Sequence, residues 1–173
     1  MPVRRLLAAL VLLPVLAVAP AGAPVASAAP VPAAPVTVLW APPLAGTPEV
    51  TRPFAPPPTP YAAGHRGVDL AAAPGAPVLA AGAGTVVFAG AVAGRPVVSV
   101  DHPGGLRTTY EPVAPTVSAG QAVALGTPLG TLAAGHAGCP ADACLHWGLR
   151  RGAVYLDPMS LLRPPRVRLL PWD

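Results

Sequence analysis

Two short stretches hold the residues best suited to chemistry: Gly64-His65-Arg66-Gly67-Val68-Asp69 and Cys144-Leu145-His146-Trp147. Two histidines and a carboxylate are a recurrent ligand set for catalytic zinc, with the fourth coordination position left open. Four residues on a straight strand would separate the Cα atoms of His65 and Asp69 by ~13 Å. That is too far for one ion unless the chain bends, and Gly64 and Gly67 are read as supplying the freedom to bend. Without such a bend the pair reads as a surface contact or a hydrogen-bonded turn. In the second stretch, strand alternation puts Cys144 and His146 on one face and Leu145 and Trp147 on the other. Leu145 and Trp147 then pack into a core while Cys144 and His146 face a cleft. A hydrogen-bonded core histidine is the competing reading of His146.

The elements that must position these residues begin after an N-terminal leader. Arg4 and Arg5 precede an apolar run over residues 6–18, and Ala26-Ser27-Ala28 forms a small-residue cleavage site, so residues 1–28 read as a secretory signal peptide. The apolar run is too short for a membrane anchor and Pro14 interrupts it. The mature chain is therefore expected to be secreted, outside the cytoplasmic membrane. Loss of the two leader arginines lowers the formal charge from +4 to +2. No dense basic stripe with interleaved aromatics is present, which argues against a nucleic-acid partner. Residues 71–94 carry no charge, but Pro74, Gly75, Pro77, Gly82, Gly84 and Gly90 make them a poor membrane helix, and no stable membrane span is expected. Cys139 and Cys144 are the two cysteines of the chain. In an exported protein an even count points to a bridge, which over so short a loop shapes the local turn more than it adds chain entropy.

Residues 29–50 are rich in Pro and Ala and read as an extended linker. Beyond them the sequence is β-like. Val78-Leu79-Ala80, Thr85-Val86-Val87-Phe88-Ala89, Pro96-Val97-Val98-Ser99-Val100 and Leu106-Arg107-Thr108-Thr109-Tyr110 are short runs separated by Gly-rich turns. Residues 123–132 and 145–150 continue the series. The expected fold is all-β, an antiparallel β-sheet or sandwich over residues 51–163, followed by a basic C-terminal tail over residues 164–173. Asp157 and Pro158 read as the N-cap and first position of one helical turn.

Several ordered motifs resemble the lysostaphin/LytM-type zinc metallopeptidases, which are peptidoglycan endopeptidases. They are Gly64-His65-Arg66-Gly67-Val68-Asp69-Leu70, Pro74-Gly75-Ala76-Pro77-Val78-Leu79-Ala80-Ala81, Gly84-Thr85-Val86, Asp101-His102, Thr109-Tyr110, Gly126-Thr127-Pro128-Leu129-Gly130 and Leu145-His146-Trp147-Gly148-Leu149-Arg150. The resemblance runs over about residues 52–163. It implies an antiparallel β domain with a groove, zinc held by His65, Asp69 and His146, and the peptide stem or cross-bridge of peptidoglycan as substrate. It also implies two helper histidines, one opening a His-x-His strand and one closing a Tyr-x-His segment. Here Cys144 stands at the first of these positions and Pro112 at the second. Proline transfers no proton, and neither does a half-cystine. Glu111 is one candidate substitute, although alternation should send it to the opposite face unless the strand bulges at Pro112. His136 is another, although in the loop Gly135-His136-Ala137-Gly138 it reads first as a solvated histidine. His102 reads as a hairpin residue, and a reduced Cys144 as a metal ligand or nucleophile.

Two functions follow. The first is a secreted zinc metallo-endopeptidase-like domain acting on peptidoglycan cross-links with non-standard or impaired catalytic residues. The second is an inactive family member that binds cell wall or regulates another cell-wall hydrolase. Residues 120–130 also resemble the hairpin of biotinyl and lipoyl carrier domains. Those carriers attach their cofactor to lysine, and all eleven basic residues of this chain are arginine.

Overall fold

The computed structural model describes residues 39–59 and 61–163; the expected signal peptide over 1–28 and basic tail over 164–173 lie outside the described residues. Among the described residues, runs of alternating apolar and polar side chains build eleven strands, all paired antiparallel. β1 is Val50–Arg52, β2 Gly67–Ala72, β3 Pro77–Leu79, β4 Gly84–Val92, β5 Arg95–His102 and β6 Leu106–Glu111. β7 is Val113–Pro115, β8 Ala122–Val123, β9 Pro128–Leu132, β10 Ala143–Arg151 and β11 Val154–Leu156. The larger sheet runs β1-β2-β10-β6-β5-β4-β8, with β11 added to the end of β10, and a smaller sheet runs β3-β9-β7. No helix among the described residues is long and apolar enough to cross a membrane.

One core joins the two sheets. Val68 and Leu70 of β2, Leu145 and Trp147 of β10, Tyr110 of β6 and Val98 and Val100 of β5 supply it from the large sheet. Val78, Val113, Leu129 and Leu132 supply it from the small one. The period of two leaves Asp69, Cys144, His146 and Glu111 on the other face of the large sheet. Residues 123–132, read as one strand region, are split between the sheets by a turn at Gly126 (φ 78°), where the Ala124 N–H donates to Thr127 Oγ1 at 3.0 Å. The expected helical turn is the 3-10 segment Pro158–Leu162, capped by Asp157, whose carboxylate accepts from the Met159 N–H.

The linker read over 29–50 differs from what is seen at its C-terminal end. Residues 39–49 lie against the domain: Leu44 is buried and Trp40 packs on the core. The Ala41 N–H donates to Ala81 O (2.9 Å), the Leu79 N–H to Pro43 O (2.8 Å) and the Ala71 N–H to Glu49 O (2.9 Å). Prolines that could not join a ladder as donors still accept through their carbonyls, which is how this segment docks.

His102 closes β5 before the turn to β6, but it is a buried bracket and not merely a hairpin residue. Its Nδ1–H donates to Ala83 O at 2.8 Å, and Nε2 meets the Thr108 hydroxyl at 2.7 Å. That hydroxyl lies 2.9 Å from the Tyr110 hydroxyl, which accepts from the Ala81 N–H at 3.0 Å. Burial pushes the His102 pKa below its ordinary value of 6.5, outweighing its bond to Ala83 and the nearby Asp101 charge. Burial likewise pushes the Tyr110 phenol up to about 12. Because the unfolded chain binds the His102 proton more readily, this group's contribution to stability is complete above pH 6.5 and is lost as pH falls through the lowered folded value. Thermal melts should therefore show Tm falling as the pH drops below 6.5, and His102→Gln should flatten that part of the profile while lowering Tm at neutral pH. An unchanged slope in the variant would remove His102 as its source.

Candidate metal centre

Asp69 sits in the middle of β2 directly opposite His146 of β10, and Glu111 of β6 lies opposite His146 on the other side. The three form a row across adjacent strands on one face. His65 joins them from outside the sheet. It lies two residues before β2, where a single antiparallel bridge to Ala55 folds the chain back. That bend removes the separation a straight strand would impose.

The glycines act differently from the expectation. Neither Gly64 nor Gly67 has a positive φ; what each provides is space. A Cβ on Gly67 would lie 2.5 Å from Trp147 O and 2.7 Å from His146 Nε2, and one on Gly64 would lie 2.6 Å from Pro57 N. The His146 ring therefore lies over a position that only glycine leaves open.

Three donor atoms converge. His65 Nε2 is 3.0 Å from Asp69 Oδ1 and 3.0 Å from His146 Nδ1, and His146 Nδ1 is 2.9 Å from Asp69 Oδ1. His65 Nδ1 lies 2.8 Å from Pro53 O. A carbonyl can only accept, so Nδ1 carries the hydrogen, and in the neutral ring Nε2 presents a lone pair to the other two atoms. Such a triangle of nitrogen and oxygen lone pairs calls for positive charge at its centre, from protons or a cation. Tetrahedral ligation at about 2.0–2.1 Å sets neighbouring donors roughly 3.3 Å apart, a few tenths of an ångström beyond the separations seen. The residues fit a divalent metal ion, and their ligand atoms all lie within 4.8 Å of one another.

Asp69 is 2% exposed. Burial by itself raises its pKa, but the hydrogen bond with His146 and the charges of His65, His136 and His146 outweigh that and hold it at about 2. The carboxylate therefore stays ionised throughout the neutral range. Thr51 braces this part of the sheet: its hydroxyl donates to Asp69 O at 3.1 Å and lies 3.4 Å from Cys144 Sγ.

Cys139 and Cys144 form a disulfide, with Cα atoms 5.7 Å apart. Cys144 is fully buried and carries no free thiol, which excludes the reduced ligand or nucleophile.

Two residues stand elsewhere than the sequence indicated. His136 is not a solvated loop residue; its side chain is 16% exposed, its Nε2 lies 3.2 Å from Asp69 Oδ2, and its ring stacks on His146. Glu111 is not turned away from the groove. Because β6 ends at Glu111, alternation does not continue through Pro112, and the pairing with His146 puts Glu111 on the groove side. Its carboxylate is held by Arg95 at 2.7 Å. The carbonyl of Pro53, Thr51 and Arg95 were not singled out in the sequence; a backbone acceptor has no residue signature, and Arg95, at the start of β5, is brought to Glu111 at the end of β6 only by the sheet.

A groove of about 530 Å³ adjoins the centre, lined by Arg52, residues 64–66, residues 94–96 and residues 134–137. Glu111, Pro112 and His146 also line it.

Fold and centre together define a class. The profile of Peptidase family M23 matches residues 63–158, more than half of the chain, and the chain belongs to that family. It is 56% identical over 133 residues to the uncharacterized protein Rv2891 of Mycobacterium tuberculosis, covering 75% of this chain and 53% of the other. The chain thus spans about half the length of the curated relatives it matches. Csd3 of Helicobacter pylori superimposes with a TM-score of 0.61 at 26% identity, covering 77% of this chain and 37% of Csd3. The catalytic domain of the antimicrobial peptidase lysostaphin from Staphylococcus simulans shares the fold, with a TM-score of 0.57 at 23% identity, covering 66% of this chain and 92% of that domain.

Gly67→Ala should lower stability by about 1–3 kcal/mol in urea denaturation, the range for forced overpacking. Gly90→Ala, whose Cβ meets only the Phe88 ring at 3.3 Å, should cost less. Equal effects would mean that the close approach of His146 does not constrain position 67.

Proposed function

We propose that the chain is a secreted zinc metallo-endopeptidase-like domain acting on the peptide cross-links of peptidoglycan. The observation that carries this reading is the convergence of His65 Nε2, His146 Nδ1 and Asp69 Oδ1 at 2.9–3.0 Å, on the sheet face of a groove in a family M23 fold. Bound there, zinc would supply Lewis-acid polarisation of a scissile carbonyl and acidify a water towards neutrality.

The chain's own residues prepare the site for that chemistry. Pro53 O fixes the His65 tautomer with Nε2 towards the centre. Asp69, ionised above a pKa of about 2, contributes negative charge at neutral pH. Arg52 and Arg95 give the walls positive charge, and Arg95 holds Glu111 beside the row.

A second reading is favoured by one observation. Pro112 lines the groove and Cys144 is locked in a disulfide, so neither position where the family resemblance implies a helper histidine offers an imidazole. This reading is a catalytically inactive domain that binds cell wall or regulates another wall hydrolase through the same groove. Loss of a general acid or base costs ~10²–10⁴-fold in rate, so slow turnover and no turnover are both consistent with the centre.

The test uses purified chain loaded in excess zinc and then dialysed. One zinc per chain, lost in His146→Ala, together with release of new amino groups from peptidoglycan well above that variant, is the expected result. Zinc without release would leave only the second reading. Failure to retain zinc would overturn the ligand assignment and the hydrolase together.

A further inference from the structure

We propose that His136 is a positioning residue for the metal-binding carboxylate, and that the Cys139–Cys144 bridge is what holds it there. The proposal rests on the zinc reading of His65, Asp69 and His146 and concerns what orients that set.

Asp69 has two oxygens with separate surroundings. Oδ1 faces His65 Nε2 and His146 Nδ1. Oδ2 faces His136 Nε2 at 3.2 Å. Groups that engage the outer side of a metal ligand fix its orientation, and removing them typically weakens metal binding about 10–100-fold. His136 occupies that outer position and stacks on the ring of His146, with centroids 6.0 Å apart and planes 25° apart. It therefore bears on two of the three ligands at once.

Its placement is unexpected for its sequence. The loop between β9 and β10 carries Gly135 and Gly138, both with positive φ (94° and 81°), a composition that makes a fixed geometry entropically expensive. The bridge offsets this. Cys139 is three residues after His136, and its N–H donates back to His136 O at 3.3 Å. Cys144 lies in β10 on the same face as His146, two residues before it. The bridge thus ties the loop to the strand that carries a ligand, beside the carboxylate that His136 reaches. Strand position 144, which faces the same side as His146 and offers no imidazole, anchors the loop that brings one from elsewhere.

The experiment measures the affinity of the full chain for Zn²⁺ alone, by competition with a chromophoric chelator, in proteins shown to be folded by their melts. His136→Ala should bind zinc about 10–100-fold more weakly than wild type. His136→Gln, which keeps an amide donor at nearly the same reach, should recover most of the loss. Cys139→Ser/Cys144→Ala should weaken binding to a similar degree with His136 present, and adding His136→Ala to it should cost little more, because the two changes break one arrangement. Unchanged affinity in His136→Ala overturns the proposal while leaving the metal centre intact. A loss far beyond 100-fold without recovery by Gln also overturns it, by making His136 a ligand. Additive losses from the loop and bridge variants would separate the bridge from His136. Absence of zinc binding in wild type would instead overturn the ligand assignment beneath it.

Discussion

The pairing of Asp69 with His146 across β2 and β10 is the constraint on which both the centre and the core depend. In the same register Val68 meets Trp147 and Leu70 meets Leu145, all fully or nearly fully buried on the opposite face. A slip of one residue would send Asp69 and His146 into the core and the tryptophan into the groove. Hydrophobic burial of Trp147, Leu145 and Leu70 therefore fixes where Asp69 and His146 stand. The next ladder repeats the logic, since Tyr110 pairs with Trp147 on the core side and Glu111 with His146 on the groove side. Site geometry is inherited from core packing.

His102 and His65 are both held at both ring nitrogens, and the identity of the partners separates them. His102 has both ring nitrogens engaged by groups that serve only the fold, Ala83 O and the Thr108 hydroxyl. His65 has one nitrogen committed to Pro53 O and the other directed at the centre. Both nitrogens of each ring have partners; His102 meets a backbone carbonyl and a hydroxyl, while Nε2 of His65 meets a carboxylate and a second imidazole. His102 and His65 are about equally buried, at 6% and 5% exposure, so burial does not distinguish them.

Much of this could be read from residue order. The all-β class followed from short β-branched runs between glycine turns, and His65, Asp69 and His146 from a ligand set in ordered motifs. The faces of Leu145, His146 and Trp147 followed from strand period alone. What escaped depends on where strands end and where loops return. Glu111 was misplaced because alternation was carried one residue past the end of β6 into Pro112. His136 was misread because a Gly-flanked loop gives no local sign of its destination; the sign was nonlocal, a cysteine three residues on paired with one in β10. Residues 39–49 read as linker because prolines disfavour strands, yet Pro43 and Glu49 dock through their carbonyls. Gly67 mattered for the atom it lacks, and not for the backbone angles it permits.

Asp69 and His146 lie in the interior of the sheet. Between residues 143 and 148 β10 has β2 on one side, and from residue 146 it has β6 on the other, while Asp69 is flanked on its far side by Arg52 of β1. Strand addition requires an exposed edge with open N–H and C=O groups, and the strands at Asp69 and His146 do not present one. Asp69 and His146 are therefore reached from above the sheet, past the side chains and loop backbone that line the groove, and not through a strand edge.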